Sequence, residues 1–408
     1  MDRLFRRTQQ LIRRTTSPNG ISSRVMSSQF VNLDDMMDIE EETMPTNGLY
    51  YPVRLGEVFK SRYEVLSKLG YGANSTVWFC RDLQQQKYAA LEVYRFCSSS
   101  PREIEVLKYL AAKKSEHVGK AYVRSMIDSF VAKSAIGDHH CLVHEPLLLN
   151  LLELQAILPR KRLSLDLLKR TLRHLLLSLD YLHTEAVVVH SDIQARNILL
   201  GTIDQSVYSD MDAAEVQEPS PRKINGDSII YQSRRFHPQA GFTAWGLPVL
   251  CDLGEARIGS KHTGIIQPNS FRAPEVVLGM EWDCNVDIWN LGVMAWHLFE
   301  DDHLFDGRIL GQHSDAQLLA EMTSVLGPAP SSFLEQSEAA LKYWGSEGNW
   351  KGVQGTEIKS VPLEDCEEYL EGKEYDMFVG FFKRMFVWNP KERATARELL
   401  QDEFLIVS

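Results

Sequence analysis

In the segment "HSDIQARN" (190–197), a histidine, an aspartate and an asparagine stand at short, defined spacings. The segment follows "SLDLLKRTLRHLLLSLDYLH" (164–183), where leucines recur every three or four positions and predict an amphipathic helix. Ser164 is a suitable N-cap for that helix. In a loop that follows a helix, the aspartate carboxylate could accept a proton and the asparagine amide could help to hold a cation. The alternative is a turn whose polar side chains only cap local backbone groups.

Two further segments have the composition of phosphate and metal sites. "GYGANS" (70–75) lies between two strand patterns, and its glycines allow a phosphate to approach the backbone without a Cβ clash. Glycine-rich hairpins without a ligand are common, so this signal alone is weak. "CDLGEAR" (251–257) follows the apolar residues "PVLC" and places Asp252 at the end of a predicted strand.

The last part of the chain contains a predicted structural ion pair. "FRAPE" (271–275) ends on Glu275, and "NPKERAT" (389–395) supplies Arg393. We expect these two side chains to form a bidentate, charge-assisted pair with a purely structural role. Between them, "NVDIWNLGVMAWHLFE" (285–300) is apolar nearly all round, which predicts a buried helix.

The order of the predicted elements indicates an α+β chain with two lobes. Residues 49–148 contain strand patterns, among them "YAALEVYRF" (88–96), and one helix pattern over 101–114. Residues 149–408 are mainly helical, and Thr395 and Glu398 stand at capping-box spacing. Within that second lobe, the polar residues 202–246 predict an inserted loop that gates the site, docks a partner or is disordered.

Residues 1–48 are predicted to be a flexible leader whose charge changes sign. Arginines dominate residues 1–30, and an acidic stretch follows at 34–42. The basic part is typical of a disordered tail, and it is also compatible with a mitochondrial presequence.

The order and spacing of these segments are similar to those of eukaryotic protein kinases over residues 62–406. "LGYGANSTVW" (69–78), "DYLHTEAVVVHSDIQARNILL" (180–200) and "YYPVRLGEVFKSRYEV" (50–65) resemble the fungal branch of the SR-protein kinases. The resemblance implies a bilobal kinase fold, ATP and Mg²⁺ as cofactors, and serines in Arg/Ser-rich protein segments as substrates.

The resemblance also implies roles for individual residues. Asp192 would orient the substrate hydroxyl beside Gln194, and Asn197 and Asp252 would hold Mg²⁺. Adenine would bond to the Glu145 carbonyl and the Leu147 amide. The full set of implied nucleotide-binding residues is Gly70, Tyr71, Gly72, Val77, Ala90, Glu92, Glu103, Glu145 and Leu147.

The chain departs from the kinase pattern most sharply at Glu92. This residue occupies the place of the lysine that grips the α- and β-phosphates and pairs with a helix glutamate, for which Glu103 is the candidate. At about 4 Å and an effective dielectric constant of about 20, one pair of unit charges is worth about 4 kcal/mol. That energy corresponds to roughly a thousandfold in rate. Partial protonation of Glu92, or a contact with Arg102, would reduce the cost.

Three smaller departures accompany Glu92. Ser75 stands where a third glycine is usual, and Gln194 replaces a lysine that stabilises the transferring phosphoryl group. Ser191 replaces the arginine that docks a phosphorylated activation loop. We therefore expect residues 253–274 to be ordered without phosphorylation.

Three functions are compatible with these features. The first is a serine/threonine protein kinase whose catalysis is impaired by Glu92. The second is a pseudokinase that acts as a scaffold or as a substrate-binding decoy. The third is a small-molecule phosphotransferase, which "FRAPE" and "DIWNLG" (287–292) disfavour because they build a peptide-substrate lobe.

Composition limits the partners and the compartment. Lys+Arg 44 against Asp+Glu 55 gives a net charge of −11, which argues against nucleic acid as the main ligand and for basic partners. The acidic residues 364–376, with Asp301, Asp302 and Asp306, either steer an arginine-rich substrate or form a solvated face. Six scattered cysteines predict a reducing compartment, the cytoplasm, the nucleus or both, and the absence of a long apolar run predicts no membrane span. We expect a monomer.

Overall fold

The computed structural model describes residues 48–96, 101–225, 228–236 and 245–406. The predicted leader over residues 1–47 lies outside the described residues. The described residues divide into two compact units. The first contains 48–96, 127–146 and 205–236, and the second contains 101–126, 147–204 and 245–406.

Strands dominate the first unit, and helices dominate the second. In chain order, the strands are β1 (Val58–Phe59), β2 (Tyr63–Tyr71), β3 (Ser75–Asp82), β4 (Lys87–Tyr94), β5 (Asp128–Ser134), β6 (Gly137–His144), β7 (Val188–Val189), β8 (Ile198–Thr202), β9 (Arg222–Asn225), β10 (Ser228–Tyr231), β11 (Trp245–Leu250), β12 (Arg257–Ile258), β13 (Arg308–Ile309) and β14 (Gln312–His313). The α-helices are α1 (Arg102–Ala112), α2 (Leu151–Ile157), α3 (Leu165–Asp180), α4 (Ser206–Gln217), α5 (Pro274–Val277), α6 (Asn285–Glu300), α7 (Asp315–Leu326), α8 (Ser331–Leu334), α9 (Gly372–Met385) and α10 (Ala396–Leu399). None of the helices in the described part of the chain combines the length and the apolar character that a membrane crossing requires.

The first unit is built on an antiparallel sheet of six strands in the order β1-β2-β3-β4-β6-β5. Its alternating apolar residues fill one core, to which Val65, Leu91 and Val143 contribute. In the β3–β4 pair, Ser75 lies opposite Tyr94, and Val77 lies opposite Glu92. The strand predicted over residues 88–96 is therefore confirmed, and its register fixes which face Glu92 occupies.

The predicted insert differs from the expectation in both structure and location. Residues 206–217 form helix α4, and β9 and β10 form a hairpin, so this segment is not an irregular loop. It belongs to the first unit, whereas the prediction placed it in the second lobe. Tyr231 packs edge-on against Trp78 with ring centroids 5.9 Å apart, and Phe236 packs against Phe79 at 5.5 Å. These few aromatic side chains bury the segment against the sheet, although its composition is polar.

Helix α1 also departs from the predicted domain division. We expected it in the first lobe, but residues 101–126 belong to the second unit. The reason is hydrogen bonding between the helix and that unit: Glu103 accepts from the Leu253 N–H at 3.3 Å, and the Tyr109 hydroxyl donates to the Ala186 carbonyl at 2.9 Å.

The second unit is organised around α6, which is buried along almost its whole length. Trp289 stacks on Phe305, and Trp296 packs against Phe378 and Phe382 of α9. The predicted caps are confirmed: the Ser164 side chain accepts from the Leu167 N–H, and Thr395 with Glu398 forms a capping box.

The predicted ion pair between Glu275 and Arg393 is also confirmed. The guanidinium donates to both carboxylate oxygens at 2.8 and 3.0 Å, and to the carbonyls of Asn285 and Val387. The two side chains are 1% and 0% exposed, so the pair fastens several segments of the second unit from inside.

Candidate active site

The loop that carries Asp192 is anchored by a buried carboxylate at the start of α6. Asp287 accepts hydrogen bonds from the backbone N–H groups of His190 and Ser191, both at 2.8 Å. It also contacts His183 Nε2 at 2.8 Å. Ser191 has a left-handed backbone, with φ of 68°, which an ordinary side chain adopts only where the surroundings fix it. The loop is thus preorganised by the helix behind it.

Three of the predicted site residues form one hydrogen-bonded cluster in this loop. Gln194 Nε2 donates to both carboxylate oxygens of Asp192 at 2.8 Å. Asn197 Nδ2 donates to Asp192 Oδ2 and to the Asp192 carbonyl, each at 2.9 Å. Gln194 and Asn197 use their amide nitrogens for these bonds, so their amide oxygens remain available for other partners. The carboxylate of Asp192 is therefore held in one orientation.

Electrostatics around Asp192 favour a group that can take up a proton. Burial raises the pKa of Asp192, and the negative charge of Asp252 raises it further, while the hydrogen bonds from Gln194 and Asn197 oppose the rise.

Asp252 occupies a constrained turn of the second unit. Its backbone is left-handed, with φ of 60°, and Oδ1 accepts from the Gly254 N–H at 3.2 Å. The preceding Cys251 N–H donates to the Asn197 carbonyl at 2.8 Å, which ties the two segments together. The carboxylate of Asp252 and the amide oxygen of Asn197 are oxygen donors of the kind that Mg²⁺ accepts alongside substrate phosphates. The donor set fits the ion that the resemblance implies.

Glu103 and Arg102, at the start of α1, contact the segment that follows Asp252. Glu103 Oε1 accepts from the Leu253 N–H at 3.3 Å. Arg102 donates to the Gly254 carbonyl at 3.4 Å and to Glu255 at 3.3 Å. Glu103, predicted as the partner of a strand residue, helps to position the Asp252 turn.

Most of the predicted nucleotide-contacting residues of the first unit lie on three neighbouring strands, β2, β3 and β4. Gly70 pairs with Val77, Val77 with Glu92, and Phe79 with Ala90, while Tyr71 pairs with Thr76. The sheet therefore brings together the residues Gly70, Tyr71, Val77, Ala90 and Glu92, with Gly72 in the turn between β2 and β3.

Two of the departures from the kinase pattern contact each other. Ser75 Oγ donates to Glu92 Oε1 at 2.6 Å. Motif spacing presents the two residues as separate changes, although adjacent antiparallel strands could have suggested the contact. The hydroxyl at the third glycine position thus holds the carboxylate at the lysine position.

The residues that connect the two units carry the predicted adenine contacts. Glu145, which follows β6, is exposed, and Leu147 is half-buried. The carbonyl of Pro146 between them accepts from the Tyr208 hydroxyl of α4 at 2.6 Å. The predicted adenine contacts do not use the Pro146 carbonyl.

Neutral hydrogen bonds of Gln267 help to hold the segment between Asp252 and Glu275. The Gln267 side chain donates to the Val286 carbonyl at 2.9 Å and accepts from the Ala273 N–H at 2.8 Å. His262 forms a backbone bridge with Trp282. No motif in the sequence points to this role of Gln267. Among the residues that the structure describes, no group of three His, Cys, Asp or Glu side chains is arranged to hold a metal ion by itself.

Comparisons with known proteins agree with this geometry. The protein kinase domain model matches residues 63–232 and 244–405. A serine/threonine protein kinase of Aspergillus fumigatus is 50% identical over 405 residues, which cover 98% of this chain and 99% of that protein. The serine/threonine-protein kinase SRPK of Physarum polycephalum is 31% identical over 91% of this chain and 92% of that protein.

More distant matches extend the same pattern. The human SRSF protein kinase 3 is 24% identical over 90% of this chain and 91% of that protein. A crystal structure of a kinase domain superposes with a TM-score of 0.67 at 22% identity, and 88% of this chain and 99% of that chain are covered. That likeness shows the fold. The chain belongs to the protein kinase family, as a serine/threonine kinase whose relatives include kinases of the SR-protein type.

Proposed function

We propose that this kinase transfers the γ-phosphoryl group of ATP to serines in Arg/Ser-rich protein segments, at a rate that Glu92 reduces. The observation that carries the proposal is the arrangement of Asp192, which two amide donors orient and which lies near Asp252. A chain without catalytic function has no mechanistic need for this cluster.

The residues of the second unit have distinct tasks in this reaction. Asp192 accepts a hydrogen bond from the substrate hydroxyl and takes up its proton as the oxygen attacks the phosphoryl group. Gln194 keeps the carboxylate oriented and brings no positive charge to the transferring group. Asn197 and Asp252 would hold Mg²⁺, which supplies positive charge to the phosphate oxygens when it is bound.

The proposed nucleotide contacts are those that the resemblance to protein kinases implies. Gly70, Tyr71 and Gly72 would cover the phosphates, because a glycine backbone can approach them closely. Val77 and Ala90 would contact the adenine ring, which would bond to the Glu145 carbonyl and the Leu147 amide. Glu103 takes part by fixing the Leu253 N–H next to Asp252.

Glu92 is compatible with two functions. In the first, the carboxylate replaces the cation that grips the phosphates and slows an otherwise complete kinase by up to roughly a thousandfold. In the second, a pseudokinase, it abolishes transfer and leaves scaffolding or substrate binding. The bond from Ser75 favours this second candidate, because it holds an anion in place of the phosphate grip. The oriented Asp192 cluster favours the first.

An acidic cavity of the second unit supports an arginine-rich substrate. The cavity has a volume of about 770 Å³, and the four carboxylates of its lining outnumber the two guanidinium groups of Arg160 and Arg162. The four are Glu300, Asp301, Asp302 and Glu368. Glu300 is only 6% exposed, and its Oε1 has no hydrogen-bond partner among the described residues. Burial and the charge of Glu367 raise the pKa of Glu300 to about 7. A guanidinium group would supply the missing donor and the opposite charge.

The compartment and the assembly state are part of the proposal. Five cysteines of the described residues, Cys80, Cys141, Cys251, Cys284 and Cys366, are free thiols. Such thiols are typical of the cytoplasm and the nucleus, where we place this kinase, as a monomer.

The test is transfer of labelled phosphate from ATP to an Arg/Ser repeat peptide in the presence of Mg²⁺. We expect slow transfer by the wild type and none by Asp192→Asn. The matched control is Asp166→Asn, at an exposed position in the first turn of α3, which is expected to keep wild-type activity. Equal transfer by the wild type and Asp192→Asn would contradict the proposed function.

A further inference from the structure

The glycine hairpin of the first unit (residues 70–75) has open space beside both of its glycines. A Cβ atom added at Gly70 or Gly72 would meet no atom of the described residues within 4 Å. Within the turn, the Gly72 N–H donates to the Ser75 carbonyl at 2.9 Å. A hairpin of this composition samples many conformations unless other groups restrain it.

The segment that precedes the kinase sheet supplies one such restraint. Tyr50 donates its hydroxyl to the carbonyl of Gly72 at 2.7 Å. The segment is itself fixed beside the end of β4, because the Phe96 N–H donates to the Leu49 carbonyl at 2.8 Å. The next residue back, Arg95, donates its N–H to the carbonyl of Asn74 in the hairpin, also at 2.8 Å.

These bonds join the lead-in segment, the hairpin and the end of β4 into one connected patch. The Ser75–Glu92 bond adds a further link between the hairpin and β4. The backbone links use amide groups that nearly every residue type provides. The Tyr50 hydroxyl is a side-chain link from outside the three strands, so its contribution depends on residue identity.

We infer that Tyr50 is a positioning residue for the nucleotide: through the Gly72 carbonyl it holds the glycine hairpin in one conformation before ATP arrives. The inference rests on the proposed nucleotide site in the first unit. Because Glu92 stands at the phosphate-gripping position of β4, where kinases have a lysine, preordering of the hairpin would lower the entropic cost of binding phosphates. Tyr50 touches no reacting atom and acts through the hairpin.

The structure offers a closely matched control at the next position. Tyr51 also donates its hydroxyl at 2.8 Å, but to Glu57, outside the hairpin. Tyr50→Phe and Tyr51→Phe therefore remove one hydroxyl each, and of the two only Tyr50→Phe removes the bond to the glycine hairpin.

Two measurements test the inference on the full chain. Hydrogen exchange of the amides of residues 70–75 reports the hairpin without nucleotide. Steady-state kinetics with an Arg/Ser repeat peptide separate the KM for ATP from kcat. For Tyr50→Phe we expect faster exchange in 70–75 and a KM for ATP about two- to tenfold higher, with kcat within about twofold of the wild type. For Tyr51→Phe we expect the wild-type exchange in residues 70–75, the wild-type KM for ATP and the wild-type kcat.

The outcomes distinguish this inference from the proposed function. If the wild type binds ATP and the two variants behave alike, the positioning role of Tyr50 is wrong and the proposed function stands. Faster exchange in Tyr50→Phe with an unchanged KM would also overturn the role. If the wild type binds no ATP, the proposed nucleotide site fails, and the positioning role fails with it.

Discussion

Replacement of Arg393 by methionine is expected to cost more stability than any surface change in the second unit. The substitution keeps much of the side-chain volume but leaves the Glu275 carboxylate, 1% exposed, without its two donors at 2.8 and 3.0 Å. Removal of one partner of a buried ion pair costs about 3–5 kcal/mol. The carbonyls of Asn285 and Val387 lose their donors as well.

Equilibrium unfolding in urea, followed by tryptophan fluorescence, measures this cost. Seven of the eight tryptophans lie in the second unit, and Trp289 is 5.2 Å from the Arg393 guanidinium, so the signal reports the affected unit. The matched control is Lys383→Gln, which removes the exposed pair with Glu364 and is expected to cost less than about 1 kcal/mol. A loss below about 1 kcal/mol for Arg393→Met would refute the reasoning that this pair fastens the unit.

Three further results are expected. The affinity for an Arg/Ser peptide should rise between about pH 6 and pH 8, because Glu300, with its pKa raised to about 7, becomes ionised over that range; Glu300→Gln should flatten the profile in peptide-binding titrations. Combined replacement of Ser260, Thr263 and Ser270 by alanine should change kcat less than about twofold, since Gln267 and backbone bonds already order the segment; a loss of about tenfold would contradict that view. Asp287→Asn should lower kcat by at least about tenfold in the phosphate-transfer assay. The His190 and Ser191 N–H groups donate to the two oxygens of a charged carboxylate, and the asparagine would offer them one neutral amide oxygen. An unchanged kcat would contradict the anchoring role.

The parts of the fold that sequence periodicity predicts are those in which long apolar patterns face a single core. Helix α3 and the buried helix α6 are of this kind, and so is strand β4. The Glu275–Arg393 pair was predictable for a different reason: it joins two motifs whose order along the chain is diagnostic. Elements of this kind carry their structural signal locally.

The insert was mispredicted because its signal is not local. Helix α4 buries Val207, Tyr208 and Met211 among polar neighbours, and its hairpin contributes Tyr231. A few aromatic contacts across the chain outweigh a polar composition. No periodicity rule reports such contacts in advance.

The candidate site was predictable in residue identity and not in bonding. Motif spacing singled out Asp192, Asn197 and Asp252. The Ser75–Glu92 contact follows only from the pairing of β3 with β4, and no pattern indicated that Tyr50 would reach the glycine hairpin. Both contacts join strands or segments whose register is set only when the sheet forms.

We propose that the catalytic cluster around Asp192 is intact and that the carboxylate of Glu92 slows phosphate transfer. The most direct test is single-turnover phosphate transfer to an Arg/Ser repeat peptide by the wild type, by Glu92→Lys and by Glu92→Lys combined with Asp192→Asn. We expect slow transfer by the wild type. Transfer by Glu92→Lys should be faster by up to roughly a thousandfold, and the double variant should transfer no phosphate. A wild type that binds ATP but transfers nothing, with transfer appearing only in Glu92→Lys, would contradict the account and identify a pseudokinase.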